Sequence, residues 1–259
     1  MNRTALVTGS SGGIGYELAM IHAEHGDDLV LVARNKSRLD EISDNLSGRY
    51  GIKVYTIEKD LSLTGAAIEV FEELNGQKIA VDYLINNAGF GDIGLFAESD
   101  WKKQEGMINL NVIALTHLTW LILPGMMERG YGKVLNVAST ASFQPGPTMS
   151  VYFATKAYVL SFSEAVNNEV AKAGVTVTAL CPGSTESGFH AVAKGDESLV
   201  KERKLPSARE VAEFGYKAMM KGKAVAIPGL KNTVMATFVR FIPRSVVVKA
   251  ARKIQERKH

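Results

Sequence analysis

Residues 4–15 read Thr4-Ala5-Leu6-Val7-Thr8-Gly9-Ser10-Ser11-Gly12-Gly13-Ile14-Gly15. A short apolar, β-prone run ends in a glycine-rich turn, and residues 14–25 continue with helical spacing. A strand, a glycine turn and a helix in that order suit the pyrophosphate of a dinucleotide. Such a group needs backbone N–H groups at a helix N-terminus and no Cβ in its path. Gly9 allows the sharp turn, Gly13 the close approach and Gly15 tight packing of helix on strand. Gly9, Ser11, Gly13 and Ile14 are therefore candidate cofactor contacts. A second apolar run, Asp28-Leu29-Val30-Leu31-Val32-Ala33, follows about 20 residues on, where a dinucleotide-binding unit places its next strand.

Outward from this turn, strands and helices alternate. Further strands are expected at residues 53–57, 81–85, 133–137 and 175–180. Helices are expected at 36–50, 64–75, 101–128 and 152–173, with Pro124 interrupting the last turns of the third. The strands are mostly continuous apolar runs without in/out alternation, the pattern of parallel strands covered on both faces. Repeated βα units imply right-handed crossovers and an α/β, doubly wound parallel sheet of Rossmann-like type. No linker rich in Pro, Gly or Ser divides the chain. We read one domain over residues 1–230 and a basic, apolar C-terminal helical extension over 231–259.

The composition, 46% apolar and 22% charged over 259 residues, is that of a soluble globular chain. The one cysteine, Cys181, cannot make an internal disulfide, and its place at the end of an apolar run before Pro182 marks a small buried residue. Net charge is +3 but uneven: from Lys231 onward there are eight lysines and arginines against the single acid Glu256. The remainder is mildly acidic, which argues against a nucleic-acid-binding body. No leader-like segment and no uninterrupted apolar stretch of about 18 residues is read, so the cytoplasm is expected. The five histidines show no ligand spacing, and no metal is expected.

Chemistry concentrates later in the chain. The second strand ends in Ala33-Arg34-Asn35, with no acid to bind a ribose 2′-hydroxyl. Arg34 can instead pair with a 2′-phosphate, which favours NADP(H) over NAD(H). Tyr152 and Lys156 stand at i and i+4 on one helix face. A phenol with an unperturbed pKa near 10 can exchange protons near neutrality only if its phenolate is stabilised, and a neighbouring ammonium does that. Ser139 follows the fifth strand, thirteen residues before Tyr152, where a side chain points into the crevice beyond the strand ends. Thr140 and Ser142 are its near neighbours.

The run T-G-x-x-x-G-x-G at residues 8–15, Asn86-Asn87-Ala88-Gly89, Asn111, Ser139 and the Tyr152-x-x-x-Lys156 pair resemble, in order and spacing, the short-chain dehydrogenase/reductase family over roughly residues 2–229. The resemblance implies that Asp60 and Leu61 line an adenine pocket and that Asn87, Ala88 and Gly89 make room for the cofactor. It implies that Asn111 bends its helix and holds a water that serves Lys156, while Lys156 also holds the ribose hydroxyls. Pro182 and Gly183 would clasp the nicotinamide carboxamide with Thr185, or secondarily Ser187. The implied reaction is hydride transfer between nicotinamide and an alcohol or carbonyl carbon, with Tyr152 as acid/base and no metal. The substrate is expected to be a small, apolar carbonyl or alcohol. Its pocket would draw on Phe90, Phe143, Pro145 and Met149 and on a lid over residues 184–206 that carries Phe189, Ala191, Val192 and Leu199. The family's habit of pairing through its two long helices implies a homodimer or homotetramer. The alternative is a non-catalytic NADP(H)-sensing protein, which the retained Asn111, Ser139, Tyr152 and Lys156 argue against. For the tail, packing over the lid or a partner subunit is favoured over contact with a membrane.

Overall fold

In the computed structural model, which describes residues 2–186 and 205–256, β1 (Thr4–Thr8) runs into the glycine turn and α1 (Gly13–Glu24) leaves it. Next come β2 (Asp28–Ala33), α2 (Lys36–Tyr50), β3 (Val54–Glu58), α3 (Ala66–Gly76) and β4 (Tyr83–Asn86). The second half comprises α4 (Trp101–Ile108), α5 (Leu115–Glu128), β5 (Gly132–Val137), α6 (Ser150–Val170) and β6 (Val175–Leu180). After these come α7 (Ala208–Met220), the two-residue β7 (Val225–Ala226), α8 (Leu230–Phe238) and α9 (Arg244–Glu256). The strands form one parallel sheet in the order β3-β2-β1-β4-β5-β6-β7, so the order reverses between β1 and β4.

Burial explains the continuous apolar strands. Ala5, Val7, Leu29, Leu31 and Leu135 face one core beneath α1, α2 and α7, whereas Leu6, Val30, Val32, Leu84 and Val134 face a second core beneath α3, α5 and α6. Each strand residue thus has an apolar layer on its own side. At the strands' N-terminal ends, remote from the glycine turn, buried His22 pairs with Asp27 at 2.7 Å, and burial lowers its pKa. Among the described residues no group of three or more His, Cys, Asp or Glu is placed to hold a metal.

Several boundaries differ from the sequence reading. Pro124 lies inside α5 without ending it, and the helix runs on to Glu128. The missing N–H costs one ladder bond, and burial of Ile122 and Met126 on the core side holds the turn. Between α4 and α5 the chain makes a π-helical turn, Asn109–Ala114. By length and hydropathy the whole stretch Trp101–Glu128 is long and apolar enough to cross a membrane. Here Met107, Asn111, Leu118 and Met126 bury its inner side against the protein. α6 begins at Ser150, two residues before the expected start, and closes in a 3-10 turn at Ala171–Ala173. Neither α7 nor β7 was expected; α7 starts with a capping box between Ser207 and Glu210.

The glycines of the first turn are not equivalent. A Cβ at Gly15 would lie 2.4 Å from the Gly9 carbonyl oxygen and 2.3 Å from Asn87 Nδ2, whereas a Cβ at Gly12 would meet nothing within 4 Å. Gly15→Ala is therefore expected to destabilise the protein by about 1–3 kcal/mol in urea unfolding, because backbone must move. Gly12→Ala should stay within about 0.5 kcal/mol of the parent. Equal behaviour of the two variants would refute this account of the turn.

Candidate active site

The reversal of strand order between β1 and β4 opens a crevice at the C-terminal ends of the strands, where open α/β sheets take their ligands. The glycine turn forms one wall. Gly9 and Gly13 have φ of +64° and +55°, in the left-handed region that glycine adopts without strain. No side chain caps the N-terminus of α1 and no acid stands in its first turn, so its dipole end suits an anion. The opposite wall, after β4, is tied to the turn through Thr8. The Thr8 hydroxyl accepts the N–H groups of Asn87 and Ala88, both at 3.0 Å, and Asn87 Nδ2 donates to the carbonyls of Thr8 and Gly9 at 2.9 and 3.2 Å. Thr8 itself, buried at this junction, was not singled out from sequence, although it opens the quoted motif.

Beyond β2, Arg34 is largely exposed, and its guanidinium lies 3.8 Å from the Asp60 carboxylate, so these two candidate residues share one rim. Asp60 also accepts the Ser62 N–H and hydroxyl. The Asn35 side chain caps α2 by accepting the Arg38 N–H at 3.0 Å. The Leu61 side chain is buried in the core with Val32 and Ile57. Of the Asp60–Leu61 pair, the acid's side chain lies on the rim and the leucine's turns inward.

The four catalytic candidates converge. Ser139 lies two residues beyond the end of β5, and its hydroxyl stands against the phenol of Tyr152. Tyr152, on the first turn of α6, is buried, and burial pushes its pKa up to about 12, the Ser139 contact offsetting part of the rise. Lys156 is buried one turn on. Its ammonium donates to the Val137 carbonyl at 2.7 Å and stands 5.8 Å from the centre of the Tyr152 ring. Burial lowers its pKa to about 8. Asn111 sits in the π-helical turn, the kind of local widening often found at functional sites. Its Nδ2 donates to the Phe90 carbonyl at 3.0 Å and the Thr155 hydroxyl at 3.1 Å, while its Oδ1 accepts the Phe90 N–H at 3.2 Å. Gly89 fits between these groups only because it lacks a Cβ, which would lie 2.9 Å from Asn111 Oδ1 and 3.4 Å from Lys156 Nζ. Of Ser139's near neighbours, Ser142 is spent elsewhere, donating to the Lys156 carbonyl at 2.7 Å.

After β6, the Pro182 carbonyl accepts the Thr140 N–H at 2.9 Å, which sets the Pro182-Gly183 turn beside Ser139. Thr185 is buried and donates to the Gly183 carbonyl. A Cβ at Gly183 would lie 2.9 Å from Asn232 Nδ2, so the start of α8 closes against this turn. No sequence signal had linked Asn232 to the site. Cys181 is buried, and burial pushes its thiol up to about 12. Ser187 and the lid residues Phe189, Ala191, Val192 and Leu199 lie outside the described residues. Of the expected pocket residues, Phe90 and Met149 pack with Tyr152, together with Ile93 and Met107. Phe143 and Pro145 instead line a cleft of about 490 Å³ with Phe153, Ala157 and Arg244, and this cleft does not include Tyr152.

The model of the short chain dehydrogenase family matches residues 3–197. A very-long-chain 3-oxoacyl-CoA reductase from Rattus norvegicus is 34% identical over 182 residues, which cover 69% of this chain and 58% of the relative. The chain thus spans less than two thirds of that relative's length. A short-chain dehydrogenase from Sphingobium yanoikuyae, solved in complex with NADPH, is 31% identical, with a TM-score of 0.82 over 94% of this chain and 97% of the other. The bulky-bulky ketone specific alcohol dehydrogenase from Comamonas testosteroni is 27% identical, with a TM-score of 0.78 over 94% and 96% of the two chains. Fold, site geometry and sequence agree: this chain belongs to the short-chain dehydrogenase family.

Proposed function

We propose that the protein is an NADP(H)-dependent reductase of ketones or aldehydes, with alcohol oxidation as its reverse. The observation that carries this is the convergence of Ser139, Tyr152 and Lys156 beside an anion-ready helix terminus. Bound NADP(H) supplies the hydride. The Ser139 hydroxyl positions the substrate oxygen against Tyr152. Tyr152, which burial keeps protonated at neutral pH, gives its O–H proton to that oxygen as the carbon is reduced. The phenolate left behind is stabilised by the Lys156 ammonium, which then returns a proton. Asn111 and Gly89 hold the loop after β4 against Lys156.

The 2′-phosphate preference rests on exposed Arg34 and the lack of an acid at the end of β2, and the NADPH complex of the Sphingobium relative supports it. Gly9, Ser11, Gly13 and Ile14 would hold the pyrophosphate, Asp60 the adenine rim, Asn87, Ala88 and Gly89 the middle, and Pro182, Gly183 and Thr185 the nicotinamide end. An apolar substrate suits Phe90, Ile93 and Met149 around Tyr152, and the names of the rat and Comamonas relatives are in keeping with reduction of a ketone. Ile113, Trp120 and Met127, seven residues apart and exposed along the α4–α5 stretch, suit pairing into a homodimer or homotetramer. A single buried thiol suits the cytoplasm.

Three measurements test this. Tyr152→Phe should lower kcat for NADPH-dependent carbonyl reduction by about 10²–10⁴-fold while NADPH binding stays within a few-fold. Turnover surviving in that variant would remove Tyr152 as the acid, and NADPH binding with no turnover of any carbonyl by the wild type would favour the sensor reading. The pH profile follows from Lys156, which is charged below a pKa of about 8 and loses its proton above it. kcat/KM for reduction should hold near neutrality and decline above that pKa, and a level profile through the alkaline range would count against its role. Arg34→Asp should weaken NADPH by about 10–100-fold and leave NADH unharmed or improved. Equal losses for both cofactors would refute the 2′-phosphate contact.

A further inference from the structure

The first C-terminal helix and the turn after it carry their larger apolar residues on the side turned away from the protein. In α8 the one buried side chain is Ala236. Leu230, Val234, Phe238 and Phe241 follow at i, i+4, i+8 and i+11 on the opposite face, with exposures of 81%, 47%, 63% and 80%. In α9, Val247 and Ala251 are buried; Ile254, on the same face at i+7 from Val247, is 55% exposed, and Val246, next to Val247, is 52% exposed. A helix whose outer side meets only water carries polar residues there, with the apolar stripe turned inward. In α8 the inner contact is already made by a small residue, Ala236, and the larger apolar side chains are left outside. Residues 230–256 also hold six lysines and arginines against the single acid Glu256.

We propose that this face docks the protein on an anionic lipid surface. Phe238 and Phe241 would enter the headgroup–acyl boundary, and the flanking lysines and arginines would lie among lipid phosphates. Such a surface takes up both features at once. It buries a stripe too apolar for water, and its negative charge complements a cationic rim whose long side chains reach up to the headgroups. Symmetric contact of this face with itself in a second copy would set one cationic rim against another.

The test uses the full-length protein and vesicles of phosphatidylcholine with or without phosphatidylglycerol, read by co-sedimentation. Binding is expected to the phosphatidylglycerol vesicles, about tenfold or more weaker without the anionic lipid, and reduced by added salt. The double variant Phe238→Ser/Phe241→Ser should lose about tenfold or more of that binding. Its melting temperature and its activity in solution should be unchanged. Lys249→Glu/Lys253→Glu, a surface change without effect on packing, should lose anionic-lipid binding as well. Failure to bind either vesicle, equal binding to both, or binding retained in these variants would overturn the proposal. So would a smaller assembly of the phenylalanine variant in sedimentation velocity, which would mark the face as a contact between copies.

Discussion

The buried ammonium of Lys156 is the constraint around which the crevice is arranged. Removing a charge from water is costly unless dipoles replace the water, and here a carbonyl, that of Val137, receives it at 2.7 Å. That contact fixes how α6 meets the end of β5. Ser142 fastens the same turn by bonding the Lys156 carbonyl, and Thr155 joins it to Asn111. Asn111 in turn holds both backbone groups of Phe90, the residue after Gly89. The Asn87-Ala88 segment before it is bonded to Thr8 at the mouth of the glycine turn. Hydrogen bonds joined by short backbone segments therefore run from the lysine to the proposed phosphate cradle. At Gly9 and Gly15 another stretch of backbone comes too close for a Cβ, and at Gly89 the Asn111 and Lys156 side chains do. A change at one wall of the crevice would be felt at the other.

Much of this was legible in the sequence because its causes are local. Continuous apolar runs mean two-sided burial, and glycine at positions 9, 13 and 15 means a turn against which something packs closely. Tyr152 and Lys156 share a helix face by spacing alone. The unread parts depend on tertiary contact. Pro124 looks like a helix breaker, yet burial on both sides of it carries α5 through. The π-helical turn at Asn109–Ala114 has no composition of its own; only the resemblance pointed to a bend at Asn111, which the turn lets reach Phe90. Leu61 carries the spacing of a rim residue but is drawn into the core by α3. α7 did have a local sign, Ser207 with Glu210 three residues on, and that capping pattern went unused. β7, with two residues, is strand only because β6 offers it an edge.

The tail shows the reverse situation. Its alternation of apolar and basic residues is plain in the sequence, but which face packs is not. The structure answers with Ala236, Val247 and Ala251 on the inside. Asn232 adds a second link, since its side chain sits against Gly183. The tail is thereby continuous with the turn proposed to face the nicotinamide, and whatever covers its outer face bears on the rim of the crevice.

The opposed directions of the two pKa shifts at the centre follow from burial. The same desolvation that raises Tyr152 to about 12 lowers Lys156 to about 8, because the first is charged when it loses a proton and the second when it keeps one. At neutral pH the resting site therefore holds both the proton that carbonyl reduction consumes and the ammonium that can replace it. Alcohol oxidation must start from the less favourable side, by removing a proton from a phenol that burial has made a weaker acid. Positive charge on an oxidised nicotinamide would supply that help only when the cofactor is bound, which ties proton transfer to cofactor occupancy.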